Sequence, residues 1–265
     1  MIDLHCHLLP GIDDGAPDLA TSLDMARIAI ADGITVTACT PHIYPGLYEN
    51  TGSAIRQAVV ELQIQFNAAD IPLKITHGAD THLTPDLVTR LRQGQVPSLH
   101  DSRYFLLEPP HHIAPPRLAE TVFELLAADY VPVITHPERL SWIEDHYMIF
   151  IDLVRQGAWL QVTAGSLSGR FGKSARYWGE RLLDEGWVHI LATDAHGVDR
   201  RPPLLAEGWQ AAERWVGTEE AAHLVTTRPQ GILDNALPAS LPPLPATLLP
   251  SPSTAWTLLK QWLHL

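Results

Sequence analysis

Six of the seven segments of this chain that read as β-strands carry a histidine, an aspartate or a glutamate at or just beyond their carboxyl ends. The strands are 2–8, 34–40, 73–80, 103–108, 131–136, 159–164 and 187–194, short apolar runs rich in β-branched and aromatic residues. Between them the apolar residues recur at helical spacing. Leu19, Leu23, Ala26 and Ile30 mark a helix over 17–32, with Pro17 in its first turn and Gly33 closing it. Ile55, Val59, Leu62 and Phe66 mark a second, and Leu118, Val122 and Leu125 a third. Further helices are expected at 144–156, 174–185 and 204–216. Strands alternating with helices imply parallel strands joined by helical crossovers. In a barrel of such units every strand's carboxyl end faces one common rim. A closed or nearly closed seven-stranded barrel is therefore favoured over an open sheet, because it gathers the polar strand ends into one place.

Those ends carry metal-ligand chemistry. His5 and His7 are two apart on the first strand, on one face and about 7 Å apart along the chain. Asp14 lies in the following loop; His42, Asp80, Glu108, His136, Asp194 and His196 stand at later strand ends. Five histidines and four carboxylates offer nitrogen and oxygen without sulfur, which suits zinc, manganese, iron or magnesium and argues against a soft metal or an iron–sulfur cluster. Nine donors exceed the needs of a single ion, so two or three ions are expected. The other nine histidines read as surface or core residues, although His111 and His112, following Glu108-Pro109-Pro110, are placed to border a substrate mouth. Ser166 and Ser168 follow the sixth strand, where no ligand occurs, but no Gly-x-Ser-x-Gly elbow supports a serine triad.

Charge and composition remove several classes of function. Eighteen Lys and Arg against 30 Asp and Glu give a formal net charge of −12, with no basic run to grip nucleic acid or an anionic membrane surface. No apolar stretch reaches the length of a spanning helix, about 18 residues, and MIDLHCHLLPGIDD lacks the basic and apolar regions of a signal peptide. Two cysteines, Cys6 and Cys39, are too few for a disulfide framework and suggest a reducing, cytoplasmic setting. Cys6 lies between two candidate ligands on an alternating strand and should face away from the rim. Residues 1–237 are read as one domain and the proline-rich 238–253 as an extended linker. Trp256, Leu259, Trp262 and Leu263 make 254–265 a short amphipathic helix, packing on its own domain or contacting an oligomer or partner.

MIDLHCHLLPGIDDG, TPHIYP, LLEPP, THPER and TDAHGVDRRPP, in that order and spacing, resemble the bacterial tyrosine-protein phosphatases of the polymerase-and-histidinol-phosphatase (PHP) superfamily, the capsule and exopolysaccharide type. The resemblance runs from Met1 to about Pro238. It implies a distorted seven-stranded (β/α) barrel of the PHP type holding three divalent ions, usually manganese. By correspondence of motifs, His5, His7, Glu108 and Asp194 would hold one ion, Asp80, bridging Glu108 and His136 a second, and Asp14, His42 and His196 the third. Arg139 in HPER and Arg201 in DRRPP correspond to arginines that bind phosphate and serve catalysis, with Arg200 as the alternative if the loop register differs. Asp80 departs from the family, which has glutamate there. The side chain is shorter by about 1.5 Å, one carbon–carbon bond, which weakens the second ion or lets His82 substitute.

The mechanism implied is phosphomonoester hydrolysis by a hydroxide bridging two metals, with no covalent enzyme intermediate. Neither cysteine is followed by the Cys-x5-Arg loop of thiol phosphatases. The expected substrate is a phosphotyrosine protein, namely the tyrosine-rich tail of a kinase of polysaccharide export. A small-molecule phosphatase of the histidinol- or sugar-phosphate type and a metal-binding scaffold without turnover stand as alternatives.

Overall fold

The computed structural model describes residues 1–248. Among them nine parallel strands form two sheets. The first has three strands in the order β1 (Ile2–Cys6), β2 (Val36–Cys39), β4 (Lys74–His77); the second has six in the order β3 (His42–Ile43), β5 (Asp80–His82), β6 (Tyr104–Glu108), β7 (Val131–Thr135), β8 (Trp159–Thr163), β9 (Ile190–Ala192). Helices α1 (Leu19–Ala31), α2 (Gly52–Ala68), α3 (Leu87–Arg92), α4 (Leu118–Ala127), α5 (Ile143–Gln156), α6 (Ala164–Leu167) and α7 (Gly172–Asp184) lie between strands, β2 and β3 and likewise β4 and β5 being linked directly, and α8 (Ala206–Ala222) and α9 (Arg228–Leu233) follow β9.

The expected closed barrel of seven strands is not what the hydrogen bonds describe. The run at 34–40 holds β2, with a separate β3 beyond Pro41, and the run at 73–80 holds β4 and only the first residue of β5. Pro41 has no amide hydrogen for a ladder. On the neighbouring run Gly78 passes so close to Leu99 that an added Cβ would lie 2.7 Å from a leucine methyl. Both chains therefore change sheets side by side, Gly78 N donating to Cys39 O (3.0 Å) and Asp80 N to Pro41 O (3.1 Å). The far edges of the sheets touch through a short parallel contact in which Asp194 N donates to His5 O (2.8 Å) and His7 N to Ala195 O (2.9 Å).

Helix ends follow from local chemistry. Asp18 caps α1 by accepting from Thr21 N (2.8 Å), and Ser22, Met25, Ala26 and Ala29 bury one face of it. Thr51 caps α2, whose buried stripe is Ile55, Val59, Leu62 and Phe66. The helix expected to stop at 216 runs on to Ala222 across a break at Gly217, φ 79°. Alternation along β6 sends Phe105 and Leu107 into the helix-covered core, and Tyr104 and Leu106 into a second apolar cluster with Leu4, Val133 and Trp159. Glu108 shares the parity of Tyr104 and Leu106, so an apolar floor underlies the polar strand end.

The proline-rich stretch is packed as far as it is described. Pro238–Ser240 form a 3-10 turn and Pro245–Leu248 a one-turn α10, with Leu244 buried in the core. Arg228, fully buried on α9, holds it there: the guanidinium pairs with Glu220 (2.7 and 3.0 Å) and donates to the carbonyls of Pro242, Pro243 and His189. The amphipathic helix expected over 254–265 lies outside the described residues.

Candidate metal centre

All nine candidate ligands converge. His5 ends toward the centre from β1 and His7 follows it; Asp14 comes from the next loop; His42 and Asp80 open β3 and β5; Glu108 closes β6. His136, Asp194 and His196 follow β7 and β9, and the first two take the left-handed backbone region (φ 36° and 49°) that turns their side chains inward from the strand end. The loop after β1 folds back on its strand, Ala16 N donating to His7 O (3.1 Å). Gly15 makes that approach feasible, since a Cβ there would sit 2.3 Å from the same carbonyl.

The donor atoms crowd one space. His5 Nε2 lies 3.2 Å from His7 Nε2, and Asp194 Oδ1 lies 3.2 and 3.4 Å from the two. Asp80 Oδ2 is 3.4 Å from His5 Nε2, 3.5 Å from His42 Nδ1 and 3.9 Å from His136 Nε2. Glu108 Oε2 approaches His42 Nδ1 (3.5 Å), and Asp14 Oδ1 lies 3.4 Å from both His42 and His196 Nε2. Four groupings among these have donor atoms within 4.8 Å of one another: His7 with Asp14, His42 and His196; His5 with His7 and Asp80; His5 with His136 and Asp194; His42 with Asp80 and Glu108. A fifth adds His111 to Glu108 and His136. Several residues fall in more than one grouping: His7 with the Asp14 group and with His5 and Asp80, and Glu108 with His42 and Asp80 and with His111 and His136. Despite its shorter side chain, Asp80 stands at the middle of the cluster. His82 faces Glu108 (3.9 Å) and stacks on Tyr44.

Three imidazoles are fixed by partners that can only accept. His7 Nδ1 donates to Asp13 Oδ2 (2.7 Å), His5 Nδ1 to Gln161 Oε1 (2.9 Å) and His196 Nδ1 to the Asp194 carbonyl (3.0 Å). Each Nε2 lone pair is thereby aimed at the centre, the arrangement a metal-ligating histidine requires. Asp80 Oδ2, His42 Nδ1 and His196 Nε2 are buried without a hydrogen-bond partner. Converging lone pairs, buried carboxylates and orphaned acceptors fit divalent cations. Asp13 and Gln161 escape sequence reasoning. Their signals are a second aspartate in GIDDG and a lone polar residue in the apolar run WLQVTA.

Protons fill part of the cation's role when none is bound. Burial opposes charging His5, but Asp194 and Asp80 outweigh it and raise its pKa. His7, also buried, is pushed up to about 10 by Asp13 and Asp194. Burial and Arg139 lower His136 to about 3, and burial and His7 lower His196 to about 4. Asp80 and Asp194 stay well below the usual carboxylate range: burial works the other way, but His5, His136 and His42 together outweigh it at Asp80, and His5, Arg201 and Arg139 together at Asp194.

Arg139 and Arg201 both reach Asp194 Oδ2, and the Phe171 ring lies under both guanidiniums, 4.3 and 5.7 Å from centroid to Cζ. Arg200 is exposed. Glu138, beside Arg139 in sequence, spends its carboxylate on Thr163 N (3.0 Å) and Ser166 Oγ (2.8 Å). Both thiols are buried in the core and burial raises their pKa values. Two cavities flank the cluster and share His111. One, of about 400 Å³, is lined by Arg139, Phe171 and Trp178; the other, of about 430 Å³, by Asp14, His42, Glu108 and a set of apolar residues with His112.

Comparison with known proteins points the same way. The family model for capsular polysaccharide synthesis, CpsB/CapC, matches residues 1–234. Tyrosine-protein phosphatase YwqE of Bacillus subtilis (strain 168) is 38% identical over 247 residues, covering 92% of this chain and 96% of its own. Tyrosine-protein phosphatase CpsB of Streptococcus pneumoniae is 27% identical over 243 residues, covering 89% and 100%. A solved chain described among crystal structures of YwqE and CpsB, "unique metal-dependent tyrosine phosphatases", superposes with a TM-score of 0.86 at 36% identity, over 89% of this chain and 96% of that one.

Proposed function

The chain belongs to the CpsB/CapC family of capsular polysaccharide synthesis, and from that premise we propose that it is a metal-dependent protein-tyrosine phosphatase. The observation that carries the reading is the meeting of nine nitrogen and oxygen donors with two arginines at one set of strand ends. His5, His7, Glu108 and Asp194 would hold one cation; Asp80, Glu108 and His136 a second; Asp14, His42 and His196 a third. Manganese is the expected metal, with iron, zinc or magnesium suited to the same donors. Bound divalent ions acidify coordinated water to near neutrality and offset charge on a phosphoryl group.

The chain's own residues do the rest. Asp13 and Gln161 hold the rings of His7 and His5 in the tautomer that leaves Nε2 free. Arg139 and Arg201 present planar forks suited to two phosphate oxygens each, and Phe171 keeps both at the rim. Neither thiol acts as a nucleophile, since both are buried away from the centre and held protonated. The substrate we infer is phosphotyrosine on the tail of a kinase of polysaccharide export. The relatives are named as protein-tyrosine phosphatases, so small-molecule and non-catalytic alternatives are not favoured. We read the two sheets as a seven-stave (β/α) barrel, with β2 running into β3 and β4 into β5. Residues 1–237 are taken as the phosphatase domain, with the described part of the proline-rich stretch, 238–248, packed against it. No described helix is long and apolar enough to cross a membrane, which fits a cytoplasmic setting.

The test is hydrolysis of a phosphotyrosine peptide by chelated protein with and without added manganese. Activity should depend on the metal, and Arg139→Ala should lower kcat/KM about 10²–10³-fold, the usual effect of removing one charge-stabilising donor. Turnover that survives exhaustive chelation would refute the reading.

A further inference from the structure

We propose that the second cavity is a subsite for the aromatic ring of the substrate tyrosine, so that this chain selects aryl phosphates by contact and not by phosphate chemistry alone. The inference rests on the phosphatase reading and deepens it. The cavity opens on Asp14, His42 and Glu108 of the metal centre, and its remaining walls include Tyr44, Leu47, Tyr48, Pro109, Pro110 and Ile113. A phosphate placed among the ligands thus has an apolar slot next to it, open to the group esterified to that phosphate.

The walls are built in advance. Tyr44 and Tyr48 exchange both backbone hydrogen bonds across a tight turn, Tyr44 N to Tyr48 O (3.0 Å) and Tyr48 N to Tyr44 O (2.8 Å). Gly46, φ 83°, supplies the left-handed residue of that turn. The rings then stack on histidines of the site: Tyr44 on His82 at 3.9 Å and 6°, Tyr48 on His42 at 5.5 Å and 16°. Opposite them Pro109 and Pro110 form a wall with little rotamer freedom to lose. Little ordering entropy is therefore spent when a ring enters.

The mouth is unusual for its exposed apolar side chains. Leu47 is 63% exposed and Ile113 72% exposed, both lining the cavity from loops far apart in sequence. Single exposed apolar residues are ordinary, but two in the lining of one cavity beside a ligand cluster offer a ring apolar contact. A phenyl group long enough to reach from the phosphate to these residues gains their contact; the one-carbon arm of phosphoserine does not. The other cavity has apolar lining too, Leu140, Ile143, Phe171 and Trp178 among it, but there Arg139, Glu138 and Glu144 share the wall, whereas the second cavity gathers its charged groups at the metal-centre end.

The experiment compares phenylphosphonate with methylphosphonate on the manganese-loaded protein, by titration calorimetry and by competitive inhibition of para-nitrophenyl phosphate hydrolysis. Wild-type protein should prefer the phenyl compound about tenfold, a preference of ~1.4 kcal/mol. The double variant Leu47→Ser/Ile113→Ser, altered only at exposed positions, should bring the two within about twofold while methylphosphonate binding stays unchanged. An undiminished phenyl preference in that variant overturns the subsite, as does equal weakening of both ligands. Failure of wild-type protein to hydrolyse para-nitrophenyl phosphate counts instead against the phosphatase reading itself.

Discussion

Asp13 shows how a residue that touches no cation governs the centre. Its carboxylate accepts from His7 Nδ1 and from the backbone amides of Gly15 and His42, so it fixes one ligand and the start of β3 together. Asp13→Ala should weaken metal binding about 10–100-fold, the usual cost of removing such a partner, read by competition with a chromogenic chelator. The variant should retain its circular dichroism spectrum. Asp80 yields a different expectation. The residue is fully buried with His5, His42 and His136 around it, so the missing methylene is absorbed by the packing. Asp80→Glu should overpack the site, costing about 1–3 kcal/mol of stability without raising the metal count measured by plasma spectrometry. At this scale the sequence was informative for Glu108, His136 and Asp194, which close or follow a strand as local pattern implies, and less so for His42 and Asp80, which open β3 and β5 instead of ending the strands before them. It was silent on Gln161, since an amide in a buried strand says nothing of which ring it faces across 156 positions.

Among the elements, strands and helices were legible where apolar periodicity is strong, as in α2 and β6. Where the backbone changes sheets the signal is partial: Pro41 marks the end of β2, but the two-residue β3 beyond it is too short to show a pattern, and ITHGAD reads as one run because the break at Gly78 is set by Leu99, distant in sequence. The proline-rich stretch misleads for a related reason. Prolines lack amide hydrogens but keep their carbonyls, and those of Pro242 and Pro243 accept from Arg228. Arg228 has every one of its donors satisfied while fully buried, so truncation would leave Glu220 without its partner and three carbonyls without a donor. Arg228→Ala should destabilise the protein by about 3–5 kcal/mol, seen as a lower Tm and faster proteolysis near residue 242. A denaturation midpoint equal to wild type would show that the strap is not held by this residue.

For the whole molecule, the titration of the buried imidazoles sets a pH profile. His136 and His196 have folded pKa values of about 3 and about 4, below the ~6.5 of an unfolded histidine. The unfolded chain takes up protons that the folded state refuses as pH falls below that value. Stability is lost on the acid side, by at most about 1.4 kcal/mol per pH unit for each histidine. His7 has the opposite sign: its folded pKa of about 10 gives stability that is complete below ~6.5 and fades as pH rises toward 10. Metal-free protein should therefore show its highest Tm near pH 6.5, falling on both sides. With manganese bound, the cation stands in for the His7 proton and the alkaline decline should disappear, a contrast that differential scanning calorimetry can resolve.

One consequence of the divided sheet concerns mechanics. His5 and His7 belong to the three-stranded sheet, whereas Asp80, Glu108, His136 and Asp194 belong to the six-stranded one or its ends, and few hydrogen bonds stitch the two along the line from Cys6 to Ala195. A cation gripped from both banks rivets them. Deuterium should then enter the amides of His7 and Asp194 much sooner after chelation than before it, while those of β6 and β7 keep their protection.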